Sequence, residues 1–255
     1  MCLIAFHLHD HPTYAFIMAA NRDEFYDRPT APARFWEEHP ELLAGKDFHA
    51  GGTWLGISKT GRIAALTNYR DPLSVQQDLI SRGDIVKDFL TSSEPPKEFI
   101  DKLEDQKMSY NGFNVLLGTP KEMYYYSNMK SSGHLIPEGT HALSNKFLNT
   151  PWPKVDTART LLSEYVDTND EVNHEILLDF MVKTDQAQDH LLPDTGVGLD
   201  LERKLSSMFI HMPNYGTRCT TVITITHDGH VEFSERSYEE TTVSSEVSYT
   251  FRIDG

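Results

Sequence analysis

Apolar, strand-like segments stand at both ends of the chain, and they constrain its fold more than any other feature. The segment CLIAFHL (residues 2–8), the turn DHPT and the segment YAFIMAA (residues 14–20) predict a β-hairpin near the start. Near the other end, RCTTVITI (residues 218–225) and HVEFSERS (residues 230–237) are joined through a DG pair, which favours a second hairpin. Both ends of the chain are therefore predicted to supply strands.

Segments with helical spacing lie between these two hairpins. Apolar residues recur at steps of three and four in residues 74–90, 154–166 and 170–182, and this period predicts helices. Residues 26–53 and 184–203 are rich in polar and turn residues and are predicted to be loops that set substrate specificity. Strands at both ends with helices between them predict an α+β fold in which sheets pack together and helices cover them.

Composition narrows the class of protein. The chain of 255 residues, with 39% hydrophobic residues and 11% aromatic residues, is predicted to form a single globular domain over residues 1–255. A formal net charge of −15 argues against non-specific nucleic-acid binding, because DNA and RNA are polyanions. No segment approaches the roughly 20 apolar residues that span a bilayer, and the start of the chain has no targeting signal. We therefore expect a cytoplasmic protein.

Cysteine is rare in this chain, and one of the two cysteines is Cys2. A residue as small as cysteine at this position normally allows methionine aminopeptidase to remove Met1. The thiol and a free α-amine would then belong to one residue at the start of a strand, so a nucleophile and its base would come from a single position. The alternative is a small apolar residue that opens a strand. Cys219 is interpreted as a buried strand cysteine, and two distant cysteines predict no disulfide framework.

Four polar residues, Asn21, Arg22, Asp23 and Glu24, directly follow the second apolar strand. Strand alternation would place Arg22 and Glu24 on one face and Asn21 and Asp23 on the other. An arginine at this point can hold a carboxylate, a carbonyl or a phosphate of a substrate, and Asn21 and Glu24 beside it are candidate substrate contacts. A solvated turn with an internal ion pair is the alternative interpretation.

Further candidates follow other apolar segments. Asn68 ends GRIAALTN and Asn145 ends a short apolar run, and an asparagine amide is a suitable donor for a developing oxyanion, although a turn or capping role is the common alternative. Arg218 precedes a strong strand, and Trp54, after the paired glycines of AGGTW, is a candidate substrate contact. The histidines of HLHDH are interpreted as strand and turn residues, and no metal site is predicted.

The segments MCLIAF, AANRDEF, AGGTWLGI, YNGFNVLLG, LSNKFLNTPWPK and YGTRCTTV occur in this order over nearly the whole chain. Together they resemble the NRDE-motif family, also called the transport and Golgi organisation protein two family. That family is similar to cysteine-type N-terminal-nucleophile hydrolases such as bile salt hydrolase and penicillin V acylase. The resemblance implies an αββα sandwich, in which two stacked antiparallel sheets lie between helical layers.

The resemblance also implies roles for individual residues. Cys2 matches the nucleophile, Arg22 and Arg218 match active-site arginines, and Asn68 and Asn145 match the donors of an oxyanion hole. The acidic residue of those enzymes has no exact counterpart, so either Asp23 or Glu24 would take that role.

The implied activity is hydrolysis of an amide or thioester bond in a small acylated substrate, without a cofactor. The alternative is a non-catalytic protein on the same scaffold that binds and transports haem or a lipid acyl chain, because the NRDE family is also linked with haem handling and lipid metabolism. Such a protein would have an apolar pocket around Cys2 lined by histidines and aromatic residues.

Overall fold

A computed structural model describes residues 2–130 and 132–254 of the chain. In these residues the chain forms two seven-stranded antiparallel sheets and five α-helices. The strands are β1 (Cys2–Leu8), β2 (Tyr14–Phe25), β3 (Thr30–Phe35), β4 (Leu42–Asp47), β5 (Leu55–Ser58), β6 (Ile63–Asn68), β7 (Phe113–Thr119), β8 (Glu122–Ser127), β9 (Ser132–Leu135), β10 (Gly139–Leu143), β11 (His211–Met212), β12 (Tyr215–Thr226), β13 (His230–Glu239) and β14 (Thr242–Arg252). The helices are α1 (Arg82–Thr91), α2 (Pro96–Asp105), α3 (Pro153–Val166), α4 (His174–Met181) and α5 (Leu199–Leu205).

The first sheet joins the two ends of the chain. Its strand order is β10-β1-β2-β12-β13-β14, with β11 paired to β12, so strands from the start of the chain lie directly beside strands from its end. The second sheet is a meander in which β3 to β9 pair in sequence order. The predicted hairpins β1–β2 and β12–β13 are both present.

Three apolar cores separate four layers. One core lies between the two sheets, a second lies between the first sheet and α3 and α4, and the third lies between the second sheet and α1 and α2. The order of layers is therefore helix, sheet, sheet, helix, which confirms the predicted α+β class and the αββα arrangement.

The layering explains why β1 is apolar at every position except His7. Ile4 and Phe6 point into the core between the sheets, whereas Leu3 and Ala5 point toward α3 and α4. Successive strand residues face opposite sides, so a strand that is buried on both faces needs apolar residues on both of them. All seven residues of β1 are buried.

Three sequence predictions about elements are wrong. The helix predicted over 74–90 begins only at Arg82, and Val75, an apolar residue of that segment, is 69% exposed. The loop predicted over 26–53 contains β3 and β4, which form one edge of the second sheet. The loop predicted over 184–203 contains a short 3₁₀ turn and the start of α5.

No helix in the described part of the chain is long and apolar enough to cross a membrane.

Candidate active site

A row of four residues crosses the first sheet and defines the site. Cys2 pairs with Arg22 on β2, Arg22 pairs with Cys219 on β12, and Cys219 pairs with Ser237 on β13. Directly paired residues in neighbouring antiparallel strands project from the same face of a sheet. All four residues line one cavity of about 590 Å³. The thiol of Cys2 therefore lies beside the guanidinium of Arg22 in the wall of that cavity.

The Cys2 thiol is shielded from bulk solvent. Only 7% of the residue is exposed. Burial raises the pKa of the thiol above its ordinary value, and the positive charge of Arg22 opposes this shift. A thiol in this environment needs a base before it can act as a nucleophile.

Arg22 is held at the end of β2 by weak ion pairs. Its Nη2 lies 3.9 Å from a Glu24 carboxylate oxygen and 3.8 Å from an Asp47 oxygen. Asp47 also accepts a closer hydrogen bond of 2.7 Å from Arg28 Nε. Arg22 Nη1 is buried and has no hydrogen-bond partner among the described residues.

Asp23 and Glu24, the two candidates for the acidic role, lie in different environments. Asp23 is 1% exposed and accepts a hydrogen bond of 2.8 Å from the hydroxyl of Thr217. Burial raises the pKa of the Asp23 carboxyl, and the positive charge of Lys154 opposes this shift. Glu24 is half-buried and accepts a hydrogen bond from the Phe25 N–H. Both residues line the cavity, and Asp23 is the more deeply buried.

Asn21 does not line the cavity. Its Nδ2 donates to the carbonyl oxygens of Met181 and Met208 at 2.8 and 2.9 Å, and its Oδ1 accepts from the Thr220 hydroxyl at 2.7 Å. The side chain thus projects to the helix side of the first sheet, where it ties the end of α4 to β2 and β12. This placement does not fit its predicted role in substrate binding.

The two predicted oxyanion donors are not equivalent. Asn68 is half-buried at the end of β6 and lines the cavity. Asn145 is fully buried behind it, and its Nδ2 donates to the Asn68 carbonyl oxygen at 2.9 Å. The adjacent Ser144 hydroxyl donates to the Cys2 carbonyl oxygen at 2.9 Å. The segment with Asn145 therefore joins Cys2 on the first sheet to Asn68 on the second.

A β-bulge brings Arg218 into the cavity. Thr217 pairs with Asp23 and Cys219 pairs with Arg22, so Arg218 is the extra residue of β12 at this point. A bulge redirects side chains from the normal alternation, and both Arg218 and Cys219 line the cavity. Arg218 Nη1 donates to the carbonyl oxygen of Phe25 at 2.8 Å and thereby fixes the turn after β2. Trp54 is half-buried on the opposite wall.

Several residues of the cavity wall were not predicted from the sequence. Arg82, at the start of α1, lines the cavity and donates to the Gly112 carbonyl oxygen at 3.1 Å. Glu235 on β13 is 4% exposed and accepts from the Ala33 N–H at 2.7 Å and from the Thr221 hydroxyl at 3.0 Å. The sequence feature that could have indicated Arg82 is the glycine that follows it, Gly83.

The glycine pair Gly52 and Gly83 explains how the start of α1 reaches the cavity. A Cβ atom on Gly52 would lie 2.5 Å from the backbone carbon of Gly83, a distance that real structures do not allow. The Thr53 N–H donates to the Gly83 carbonyl oxygen at 3.2 Å across this contact. Glycine is required where two backbones approach this closely.

The cavity wall is charged rather than apolar. It carries five basic residues and five acidic residues, and His49 is the only histidine of the described residues among its lining side chains. The cavity around Cys2 is therefore more polar than the pocket expected for a haem or acyl-chain carrier. The described residues also contain no group of three or more His, Cys, Asp or Glu side chains placed to hold a metal ion.

The histidines of HLHDH point elsewhere. His7 Nδ1 lies 2.8 Å from the Thr140 hydroxyl, and His11 Nε2 lies 2.9 Å from the Asn169 carbonyl oxygen. His9 occupies the turn with φ of 61°. The rings of His7 and His11 also meet edge to face, with their centroids 6.5 Å apart.

The whole architecture is similar to that of a solved hydrolase. The structure of the mutant C2A conjugated bile acid hydrolase from Clostridium perfringens superposes with a TM-score of 0.55 over 100% of this chain and 97% of that chain, at 8% sequence identity. The chain thus has the αββα sandwich fold of N-terminal-nucleophile hydrolases.

Sequence comparison assigns the family. The Transport and Golgi organisation 2 family model matches residues 1–240. The Transport and Golgi organization protein 2 homolog of Bos taurus is 38% identical over 260 residues, covering 93% of each chain, and the homolog of Mus musculus is 34% identical over 273 residues, covering 99% of each. The chain belongs to the Transport and Golgi organisation 2 family, which confirms the predicted resemblance.

Proposed function

We propose that the chain is a cysteine hydrolase that cleaves an amide or thioester bond of a small acylated substrate after removal of Met1. The observation that carries this proposal is the position of Cys2. Its thiol lies at the first residue of β1, beside Arg22, in the wall of a cavity of about 590 Å³. The hydrolase fold is consistent with this reaction, although a fold alone does not define an activity.

In the proposed first step, the α-amine of Cys2 accepts the thiol proton and Sγ attacks the substrate carbonyl carbon. The need for a base follows from burial, which raises the pKa of the thiol. The C–N or C–S bond of the tetrahedral intermediate then breaks, the α-ammonium returns the proton to the leaving amine or thiol, and the acyl group remains on Sγ. In the second step water attacks the carbonyl carbon of this thioester while the α-amine takes its proton. The C–Sγ bond then breaks, the proton returns to Sγ, and a carboxylic acid and the free thiol result.

The neighbouring residues support these steps in different ways. Asn68 lines the cavity and is the side-chain donor that we assign to the oxyanion. Asn145 does not line the cavity, and we assign it a positioning role because it holds the Asn68 carbonyl. Asp23 faces the positive charge of Lys154 and is the acid that we assign to orienting the α-ammonium. The positive charge of Arg22 stabilises the Cys2 thiolate.

The test is intact-mass spectrometry of the purified protein before and after reaction with p-nitrophenyl octanoate. We expect a chain that lacks Met1 and gains one octanoyl group with a burst of p-nitrophenol. The Cys2→Ala variant should show neither the octanoyl adduct nor the burst of p-nitrophenol. Cys219→Ala is the matched control because it removes the other thiol in the cavity, and it should keep them. A chain that retains Met1, or a Cys2→Ala variant with full turnover, would contradict the proposal.

A further inference from the structure

Three acidic residues of the cavity wall have hydrogen-bond or ion-pair partners, whereas two of its arginines have no carboxylate partner. Asp47 pairs with Arg28 at 2.7 Å, Glu24 accepts from a backbone N–H at 3.0 Å, and Glu235 accepts from a backbone N–H at 2.7 Å and from a hydroxyl at 3.0 Å. Neither Arg82 nor Arg218 has a carboxylate within ion-pair distance among the described residues; both donate only to backbone carbonyls. The guanidinium groups of Arg82 and Arg218 therefore remain without an ion pair in the described part of the chain, although the wall carries acidic residues as well.

The start of α1 adds donors at the same place. Residues 81–83 line the cavity, and the N-cap residue, Ser81, makes no side-chain hydrogen bond to the helix. Within residues 2–130 and 132–254, the backbone N–H groups of Arg82 and Gly83 have no hydrogen-bond acceptor. The partial positive charge at a helix amino terminus favours an anion there.

Arg22 gives an independent indication that this wall can bind an anion. Its side chain is 10% exposed, and its Nη1 is buried without a hydrogen-bond partner among the described residues. A buried N–H without an acceptor costs free energy, and a bound anion would remove that cost. Burial also lowers the pKa of the Arg82 guanidinium, and the negative charge of Glu24 opposes this shift.

We propose that Arg82, Arg218 and the amino terminus of α1 form a subsite for an oxyanion group of the substrate, a phosphate or a carboxylate. This inference rests on the proposed function, since it states which acylated substrates are presented to Cys2. The substrate is then an anionic acyl compound rather than a neutral one. Guanidinium groups bind such anions through two parallel hydrogen bonds, and that geometry gives orientation as well as affinity.

The experiment is isothermal titration calorimetry of the whole protein with octyl phosphate, N-octanoylglycine and octanol. Octyl phosphate has no acyl bond to hydrolyse, so its binding is independent of turnover. We expect octyl phosphate or N-octanoylglycine to bind with one site per chain and at least about tenfold more tightly than octanol. A hydrogen bond to a charged group contributes about 1.5–3 kcal/mol. Arg82→Gln and Arg218→Gln should therefore each weaken the anion roughly 10- to 100-fold and leave octanol unchanged. The anion that binds more tightly shows whether the subsite prefers a phosphate or a carboxylate.

The matched control is Arg159→Gln, an arginine on α3 that does not line this cavity, and it should bind like the unmodified protein. Protection of Cys2 from alkylation by iodoacetamide tests the subsite without any variant, and the anions should slow alkylation where octanol does not. The inference is wrong if all three ligands bind equally, or if the anions bind tightly but neither Arg82→Gln nor Arg218→Gln weakens them. Anion binding without acylation of Cys2 would refute the hydrolase and leave the subsite standing.

Discussion

Lys154 allows a quantitative test of how buried charge near the cavity affects stability. The residue is 3% exposed in the first turn of α3, and its Nζ has no hydrogen-bond partner in the described part of the chain. Burial lowers its pKa from 10.5 to about 8, and the negative charge of Asp23 opposes this shift. The unfolded chain therefore holds this proton more tightly than the folded protein does.

The sign of the effect follows from that difference. The burial penalty on Lys154 is complete below pH 8 and disappears as the pH rises through 10.5, so stability increases with pH in this window. The full penalty is about 3 kcal/mol, since each pKa unit corresponds to about 1.4 kcal/mol. Between pH 6.5 and pH 8.5 the expected gain in the free energy of unfolding is roughly 1 kcal/mol.

The assay is urea unfolding at pH 6.5, 7.5 and 8.5 for the unmodified protein, Lys154→Met and Lys97→Met. Lys97 is an exposed lysine on α2 and controls for the loss of one positive charge. The unmodified protein and Lys97→Met should each gain roughly 1 kcal/mol relative to Lys154→Met over this range. Only the change with pH is compared, because Lys154→Met also removes the attraction to Asp23. Equal slopes for all three proteins would refute the reasoning.

Three further substitutions test the framework of the site through the free energy of unfolding measured in urea. Asn21→Ala leaves two buried carbonyls without their donor and should cost about 2–4 kcal/mol, and a cost below about 1 kcal/mol would show that these contacts are dispensable. Arg70→Met removes the guanidinium that pairs with Glu202 on α5, whose side chain is 4% exposed, and should cost about 3 kcal/mol. An unchanged unfolding midpoint would mean that the pair contributes nothing to stability. Gly52→Ala places a Cβ 2.5 Å from the backbone of Gly83 and should cost more stability than Gly51→Ala. A Cβ on Gly51 meets no atom within 4 Å, so Gly51→Ala should cost only about 1 kcal/mol, for its φ of +76°. The reverse order would contradict the backbone contact.

The central strands were predictable because burial on both faces gives continuous apolar runs. β1 and the first part of β2 have such runs, and α3 has a clear helical period. The last strand, β14, was not predicted, because it is an edge strand whose residues are exposed or half-buried and whose sequence is largely polar. An edge strand is recognised mainly by its partner, which the local sequence does not reveal.

The error at residues 74–81 has a tertiary cause. Val75 and Leu79 have helical spacing, but the backbone there bonds to a different segment: the Gln76 N–H donates to Asn111 Oδ1, and the Ile80 N–H donates to the Ser109 carbonyl oxygen. These bonds replace the ones that a helix would make within itself. Local periodicity cannot reveal such long-range competition.

The candidate site was predicted in part for a similar reason. Cys2, Arg22 and Asn68 each end or begin an apolar strand, so their positions stand out in the sequence. Arg82 and Glu235 do not lie at the end of an apolar strand. Glu235 reaches the cavity because of the strand order of the first sheet, and Arg82 reaches it because of the close contact between Gly52 and Gly83.

The pairing of the first and last strands has a consequence during synthesis of the chain. β1 and β2 are neighbours in sequence and can associate as soon as they leave the ribosome, but Asp23 meets Thr217 only after a further 194 residues. Until then, Cys2 has its nearest arginine but lacks the wall that β12 and β13 contribute. The cavity wall around the Cys2 thiol is thus incomplete for almost the whole of translation, and it forms only after β12 and β13 have been synthesised.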